Sequence, residues 1–239
     1  MKKINTILAA VGALLMLTVT SANSIEFKAG VSANGMAAYA NAKETLKGDG
    51  AGTGGQTGRT TNEEAVLATS FASVFAEVSS DEMMGLGLGV SYAPEVADLS
   101  KETRVIQDAT GDSGNDTGTQ TVDAKINDLL SVYITLPVGG NGAYVKAGYI
   151  QATMVTEESL ATGSKYEDID MSGTQIGAGY EGSLGDMAFW RAEGSYQMWE
   201  DLRADGSEAN HTAGSDSTKN KIEAEIGSIT GSLSIGMKF

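Results

Sequence analysis

Residues 84–92 read Met84-Gly85-Leu86-Gly87-Leu88-Gly89-Val90-Ser91-Tyr92, with an apolar side chain at every second place and glycine or serine between. Successive side chains of an extended strand point to opposite faces. This stretch therefore sets one uniformly apolar face against one that is nearly bare. A helix would need apolar residues three and four apart, and no such period runs beyond about two turns after residue 25.

The alternation recurs along the chain. Phe27, Ala29, Val31, Ala33, Ala37 and Tyr39 oppose Lys28, Ser32 and Asn34. Val122, Ala124, Ile126, Leu130, Val132, Ile134 and Leu136 oppose Asp123, Lys125, Asn127, Ser131, Tyr133 and Thr135, with Asp128 breaking the apolar phase and Leu129 the polar one. Val145, Ala147 and Tyr149 oppose Tyr144, Lys146 and Gly148, while Ile176, Ala178 and Tyr180 oppose Gln175, Gly179 and Glu181. Ala188, Trp190, Ala192, Tyr196 and Met198 oppose Arg191, Glu193, Ser195 and Gln197. The last segment sets Ile229, Leu233, Ile235, Met237 and Phe239 against Ser232, Ser234 and Lys238. Residues 65–78 are ambiguous, because Phe71 and Phe75 share a phase with Glu77; the charge assigns the even set, Val66 to Val78, to the apolar face.

The pattern predicts eight strands whose connections alternate in length. Short ones fall at Ser79 to Glu82, Pro137 to Gly142 and Gly182 to Asp186, where glycines and the Asn141-Gly142 pair suit tight hairpins. Long polar ones fall at about 41–63, 93–121, 156–168 and 200–219. Short turns at one end and long loops at the other are the habit of an up-and-down transmembrane barrel with periplasmic turns and extracellular loops.

A soluble barrel or sandwich also alternates, but it buries its apolar face in a core of large side chains. Here the apolar phase is rich in Ala and Gly, and the other phase carries Lys28, Glu77, Lys146, Glu181, Arg191 and Glu193. The aromatics separate the two cases better. Phe27, Tyr180, Trp190 and Phe239 stand on the apolar phase near the short-turn end; Tyr39, Tyr92 and Tyr196 stand near the long-loop end, with Tyr149 somewhat lower. Two aromatic rings around an aliphatic band are what two lipid–water interfaces select. The charged phase is then the lumen, and the sheet must close, since an open edge in hydrocarbon leaves backbone groups unpaired.

The rest of the chain agrees with that setting. Residues 1–24 read as an export leader, with Lys2 and Lys3 ahead of an apolar stretch from Ile7 to Val19 that is too short to span a membrane as a helix. Cleavage after Ala22 and after Ser24 both fit, leaving 25–239 as one barrel. The chain has no cysteine, so disulfides, thiolate metal sites and a lipidated cysteine are excluded. Its formal charge of −15 makes nucleic acid an unfavourable partner.

The run Leu233 to Phe239, apolar at alternate positions and ending in phenylalanine, together with Ser73 to Glu77 and Gly142 to Tyr149, resembles small Gram-negative outer-membrane barrels: the OmpA transmembrane domain, OmpX and opacity-protein group. The resemblance is architectural over 25–239. It implies that Leu233, Ile235, Met237 and Phe239 form the signal recognised by the barrel-assembly machinery, with outer-membrane lipid and lipopolysaccharide as surroundings. It brings no residue-level functional motif.

Four functions compete. A lumen of mixed charge is either a hydrogen-bonded plug or a narrow porin-like channel, and eight strands leave an interior that side chains fill. A lipid-modifying enzyme would need a base, and the only histidine, His211, stands beside Thr212 and Ser215 in a loop of Asn, Gly and Asp with nothing to orient it. No catalytic role and no cofactor is expected. Asp108, Asp112 and Asp116, with Glu157, Glu158, Glu167, Asp168 and Asp170, crowd two loops but match no calcium-loop spacing, so no metal site is expected. The preferred function is a surface one, in which the long loops meet phage or other external ligands, with Tyr166, Trp199 and Leu202 as candidate contacts.

Overall fold

The computed structural model describes residues 25–46, 59–81, 84–108, 116–159, 167–209 and 219–239. The expected leader, His211, Thr212, Ser215, Asp112 and Tyr166 lie outside them. The elements are β1 (Ile25–Leu46), β2 (Arg59–Ser80), β3 (Leu86–Asp108), β4 (Asp116–Pro137), β5 (Ala143–Ser159), β6 (Ile169–Leu184), β7 (Ala188–Trp199), β8 (Leu202–Ala209) and β9 (Lys219–Lys238).

From β1 to β7 each strand pairs antiparallel with the next in sequence, and β9 returns to β1 from Lys28–Lys238 to Thr45–Lys221, closing the sheet. The ends lock through Phe239 N to Phe27 O at 2.9 Å and Phe27 N to Phe239 O at 3.2 Å. β7 and β8 both pair with β9 and form one stave broken at residues 200 and 201, so the closed barrel has eight staves.

The turns at one end are tight for identifiable reasons. Between β2 and β3, Gly85 N bonds Ser80 O at 2.9 Å, with Met84 and Gly85 at φ of 59° and 75°. Met84, expected to open the third strand, belongs to this turn, and β2 runs on to Ser80. In the β4–β5 turn the positive φ values fall on Gly139, Gly140 and Gly142, not on Asn141, whose side-chain oxygen instead accepts from Ala143 N.

At the other end the expected long loops are too long. Residues 41–46 and 59–63, 93–108 and 116–121, 156–159, and 202–209 with Lys219 are strand. Backbone pairing continues there although two-faced alternation does not: a strand with no apolar surroundings on either side has no reason to keep one face apolar.

The apolar phase faces outward as expected, with Val31, Val74, Ile176, Leu233 and Ile235 52–67% exposed. The ambiguous strand is settled: Val66 is 84% exposed and Phe75 only 8%. One assignment fails, beside a bulge: Ile126 packs against an interior cluster although it was read as outward. Leu130 keeps the phase of its register partner Tyr92 and of Val132, although it is covered to 2% exposure. The β4–β5 register slips between Asn127 and Leu130, and Asp128 takes a φ of 57° while its carboxylate accepts from the Tyr92 hydroxyl. A bulge adds a residue to one strand and turns the side chains beyond it.

Candidate functional site

Inward-facing residues fill the barrel in three layers. Nearest the tight turns, Arg191 donates two hydrogen bonds to Glu77, at 3.0 and 2.8 Å, and two to Glu181, also at 3.0 and 2.8 Å. Lys28 reaches Glu181 from the other side at 2.9 Å. Lys146 meets Glu193 at 2.7 Å, and Tyr144 donates to the same carboxylate at 2.9 Å. The structure thus brings together the six charged residues expected to form the lumen network, three of each sign. They stand on β1, β2, β5, β6 and β7, so the cluster ties opposite walls.

Around the charges lies an aromatic collar that sequence reasoning missed. The Arg191 guanidinium sits 5.5, 5.2 and 5.4 Å from the ring centres of Phe75, Tyr144 and Phe189, and Lys146 lies 4.1 Å from that of Tyr133. Arginine stacks on aromatic faces while its N–H groups hold carboxylates in plane. Each of these rings has a glycine as cross-strand partner: Gly30 for Phe75, Gly89 for Tyr133, Gly179 for Tyr144 and Gly236 for Phe189. A Cβ on Gly89 would come within 2.3 Å of the Tyr133 ring, and one on Gly179 within 2.5 Å of the Tyr144 ring. The bare face of the opening stretch is therefore space reserved for the neighbour's ring. Hairpin register would have exposed the rule, since in each pair an inward aromatic stands opposite an inward glycine.

The middle layer is polar and largely self-satisfied. Asn34 donates to Phe71 O and Ser73 Oγ and accepts from Ser232; Ser32 pairs with Ser234, Gln175 with Ser131, and Ser228 donates to Gln197 at 2.6 Å. Above it Met36, Ala93, Val96, Leu129, Ile150 and Ala152 form an apolar cluster, joined by Phe71, Ile126 and Trp199. Trp199 and Leu202, expected as loop contacts, face inward. Trp199 packs on this cluster with its Nε1 3.3 Å from Ser228 Oγ, and Leu202 is 7% exposed. The cause is that the stave of β7 and β8 carries them in its inward phase instead of releasing them into a loop.

Open space survives at the tight-turn end, where a cavity of about 430 Å³ is lined by Lys28, Glu77, Thr135, Tyr144, Glu181 and Arg191. Its wall includes the Arg191–Glu77 pair, whose side chains are 6% and 2% exposed. Among the described residues no group of three acidic or histidine side chains is disposed to hold a metal.

Outside, the eight aromatics of the apolar phase stand in two sets. Phe27 and Phe239 have ring centres 6.2 Å apart, and Tyr180 and Trp190 5.7 Å, at the tight-turn end. The Tyr39 and Tyr196 hydroxyls meet at 3.1 Å toward the other end, where Tyr92 bonds Asp128 and Tyr149 accepts from Gln151.

No family model matches the chain, and no characterised protein matches it by sequence. Solved structures to which it is similar include outer-membrane proteins. OprG of Pseudomonas aeruginosa shares 15% identity at a TM-score of 0.49, over 90% of this chain and 96% of that one. Ail, the attachment invasion locus protein of Yersinia pestis, shares 12% at 0.37, over 88% and 99%. The protease OmpT of Escherichia coli shares 11% at 0.39, over 92% and 100%.

Proposed function

We propose that the chain is an integral outer-membrane barrel with a sealed lumen, non-catalytic, whose outer strands and loops are its working surface. The observation carrying this is an inversion of the usual order. Leu233, Ile235 and Ile229 are 62–67% exposed, while Glu77 and Arg191 are 1% and 5% exposed. In water that arrangement would expose an apolar belt around the whole molecule; against acyl chains it is the favourable one. The aromatic sets mark the two interfaces, so the tight turns and both chain ends face the periplasm and the long connections face outward. Lipopolysaccharide and phospholipid are then the lateral partners, and Leu233, Ile235, Met237 and Phe239 the strand end offered to the assembly machinery.

The charge plug, its aromatic collar and the apolar layer above them speak against a porin-like channel. The test has two parts. In outer-membrane fractions the unboiled protein migrates faster than the boiled one on a detergent gel, and in planar bilayers the purified protein gives no discrete conductance steps. Recovery in the soluble periplasmic fraction refutes the membrane setting; reproducible steps refute the sealed lumen.

A further inference from the structure

The cavity at the tight-turn end carries polar groups that the charge plug does not use. Its mouth lies among the turns, where Gly85, Asn141 and Gly142 line it, and its walls are the inward residues of β1, β2, β4, β5, β6 and β7. At about 430 Å³ it has room for a small ligand.

Three hydroxyls and an amide line this space with bonding capacity to spare. Among the described residues Ser79, Thr135 and Ser183 have no hydrogen-bond partner, and Asn141, whose Oδ1 accepts from Ala143 N, keeps its Nδ2 unbonded. Thr135 is the decisive one. It is only 6% exposed, and a hydroxyl buried that deeply is ordinarily bonded within the protein. Its oxygen opens instead on the cavity. Gly87, in the bare face of 84–92, makes the space for it, since a Cβ there would collide with Thr135 Oγ1.

Charge narrows what fits. Arg191 is closed on Glu77 and Glu181, and Lys28 on Glu181 and, at 3.1 Å, Glu26. A cation or an anion entering here would draw one member from its partner and strand the other, which is costly in a buried pair. An uncharged ligand disturbs neither pair. Hydroxyls both donate and accept, so they match free hydroxyls, an amide N–H and the spare lone pairs of a carboxylate.

We propose that this cavity binds an uncharged, hydroxyl-rich ligand, a sugar or a sugar alcohol. Thr135, Ser79 and Ser183 exchange hydrogen bonds with its hydroxyls, Asn141 Nδ2 donates from the rim, and Glu181 accepts from within. Under the orientation proposed above the mouth faces the periplasm; the chemistry of the site does not depend on that orientation.

Amide NMR of the full chain in phosphatidylcholine nanodiscs tests it, by titration with maltose, N-acetylglucosamine and myo-inositol. At least one of these shifts the amides of Ser79, Thr135, Asn141 and Ser183 saturably, with a dissociation constant of about 1–10 mM. Glucosamine and gluconate, its cationic and anionic counterparts, bind roughly tenfold more weakly or worse. Thr135→Val and, separately, Ser183→Ala weaken binding by roughly three- to tenfold while leaving heat-modifiability intact. Ser183 is exposed, so its variant folds and keeps the test open should Thr135→Val not assemble. No saturable shift with any neutral probe, shifts confined to other residues, equal binding of the charged probes, or undiminished binding in the folded variants overturns the proposal. Glycerophosphoethanolamine binding more tightly than every neutral probe overturns it in favour of a lipid headgroup.

Discussion

Removing Arg191 should cost more than the loss of any other lumen side chain. In an Arg191→Met variant Lys146 stays with Glu193, and Lys28 is the one cation left for the other two carboxylates of the turn-end layer, Glu77 and Glu181. Lys28 already holds Glu181 at 2.9 Å and stands opposite Glu77 in register, so whichever acid it keeps, the other has no counter-ion. Four charge-assisted hydrogen bonds also disappear. Breaking a buried pair from one side costs about 3–5 kcal/mol, because the orphaned charge stays buried. The companion variant Arg191→Met with Glu77→Gln removes the orphan, and methionine fills most of the guanidinium's place between Phe75, Tyr144 and Phe189. It should return to within about 1.5 kcal/mol of the parent. Reversible urea unfolding in phospholipid vesicles, followed by the fluorescence of Trp190 and Trp199, measures both. A single variant within about 1 kcal/mol of the parent, or a double variant no better than the single, would refute a desolvated charge plug.

Other perturbations probe other layers. Gly89→Val drives a side chain into Tyr133 and should destabilise by about 1–3 kcal/mol, with Tyr133→Ala restoring part of it in the same unfolding assay; additive effects would contradict the ring-over-glycine packing. Leu233→Arg, at a position 67% exposed, should cost about 2–4 kcal/mol in vesicles if it faces acyl chains, and next to nothing if it faces water. Deleting Phe239 removes both backbone bonds to Phe27 and should lower the yield of heat-modifiable protein in outer-membrane fractions; unchanged yield would deny the chain end its assembly role.

The outward face was legible because lipid-facing strands obey a single rule, and residues 84–92 display it almost without noise. The six lumen charges were legible for the converse reason: a charge on the apolar-poor phase has nowhere else to go. Ile126 was lost because a bulge is a backbone event, and only the out-of-phase Asp128 betrayed it. The extensions of β1 to β4 were hidden since Thr, Asp and Lys alternate without contrast where no lipid selects between faces. Phe75, Tyr133 and Tyr144 were placed on the polar phase, but with Phe189 they were not read as a collar, because inward aromatics look like phase errors until their glycine partners are aligned across the strands. Trp199 looked like a loop anchor, and only the stave shared by β7 and β8 shows it to pack on the interior apolar cluster.

The chain has no cysteine, so spin labels at Leu233→Cys and, separately, Ser195→Cys can be compared cleanly in vesicles. Relaxation by oxygen against a water-soluble nickel chelate reads the surroundings of each. Leu233 should report high oxygen and negligible nickel collision, as in hydrocarbon, and Ser195 should report shelter from both. Nickel access at Leu233 equal to that of a label in water would mean that the apolar belt is not in a membrane.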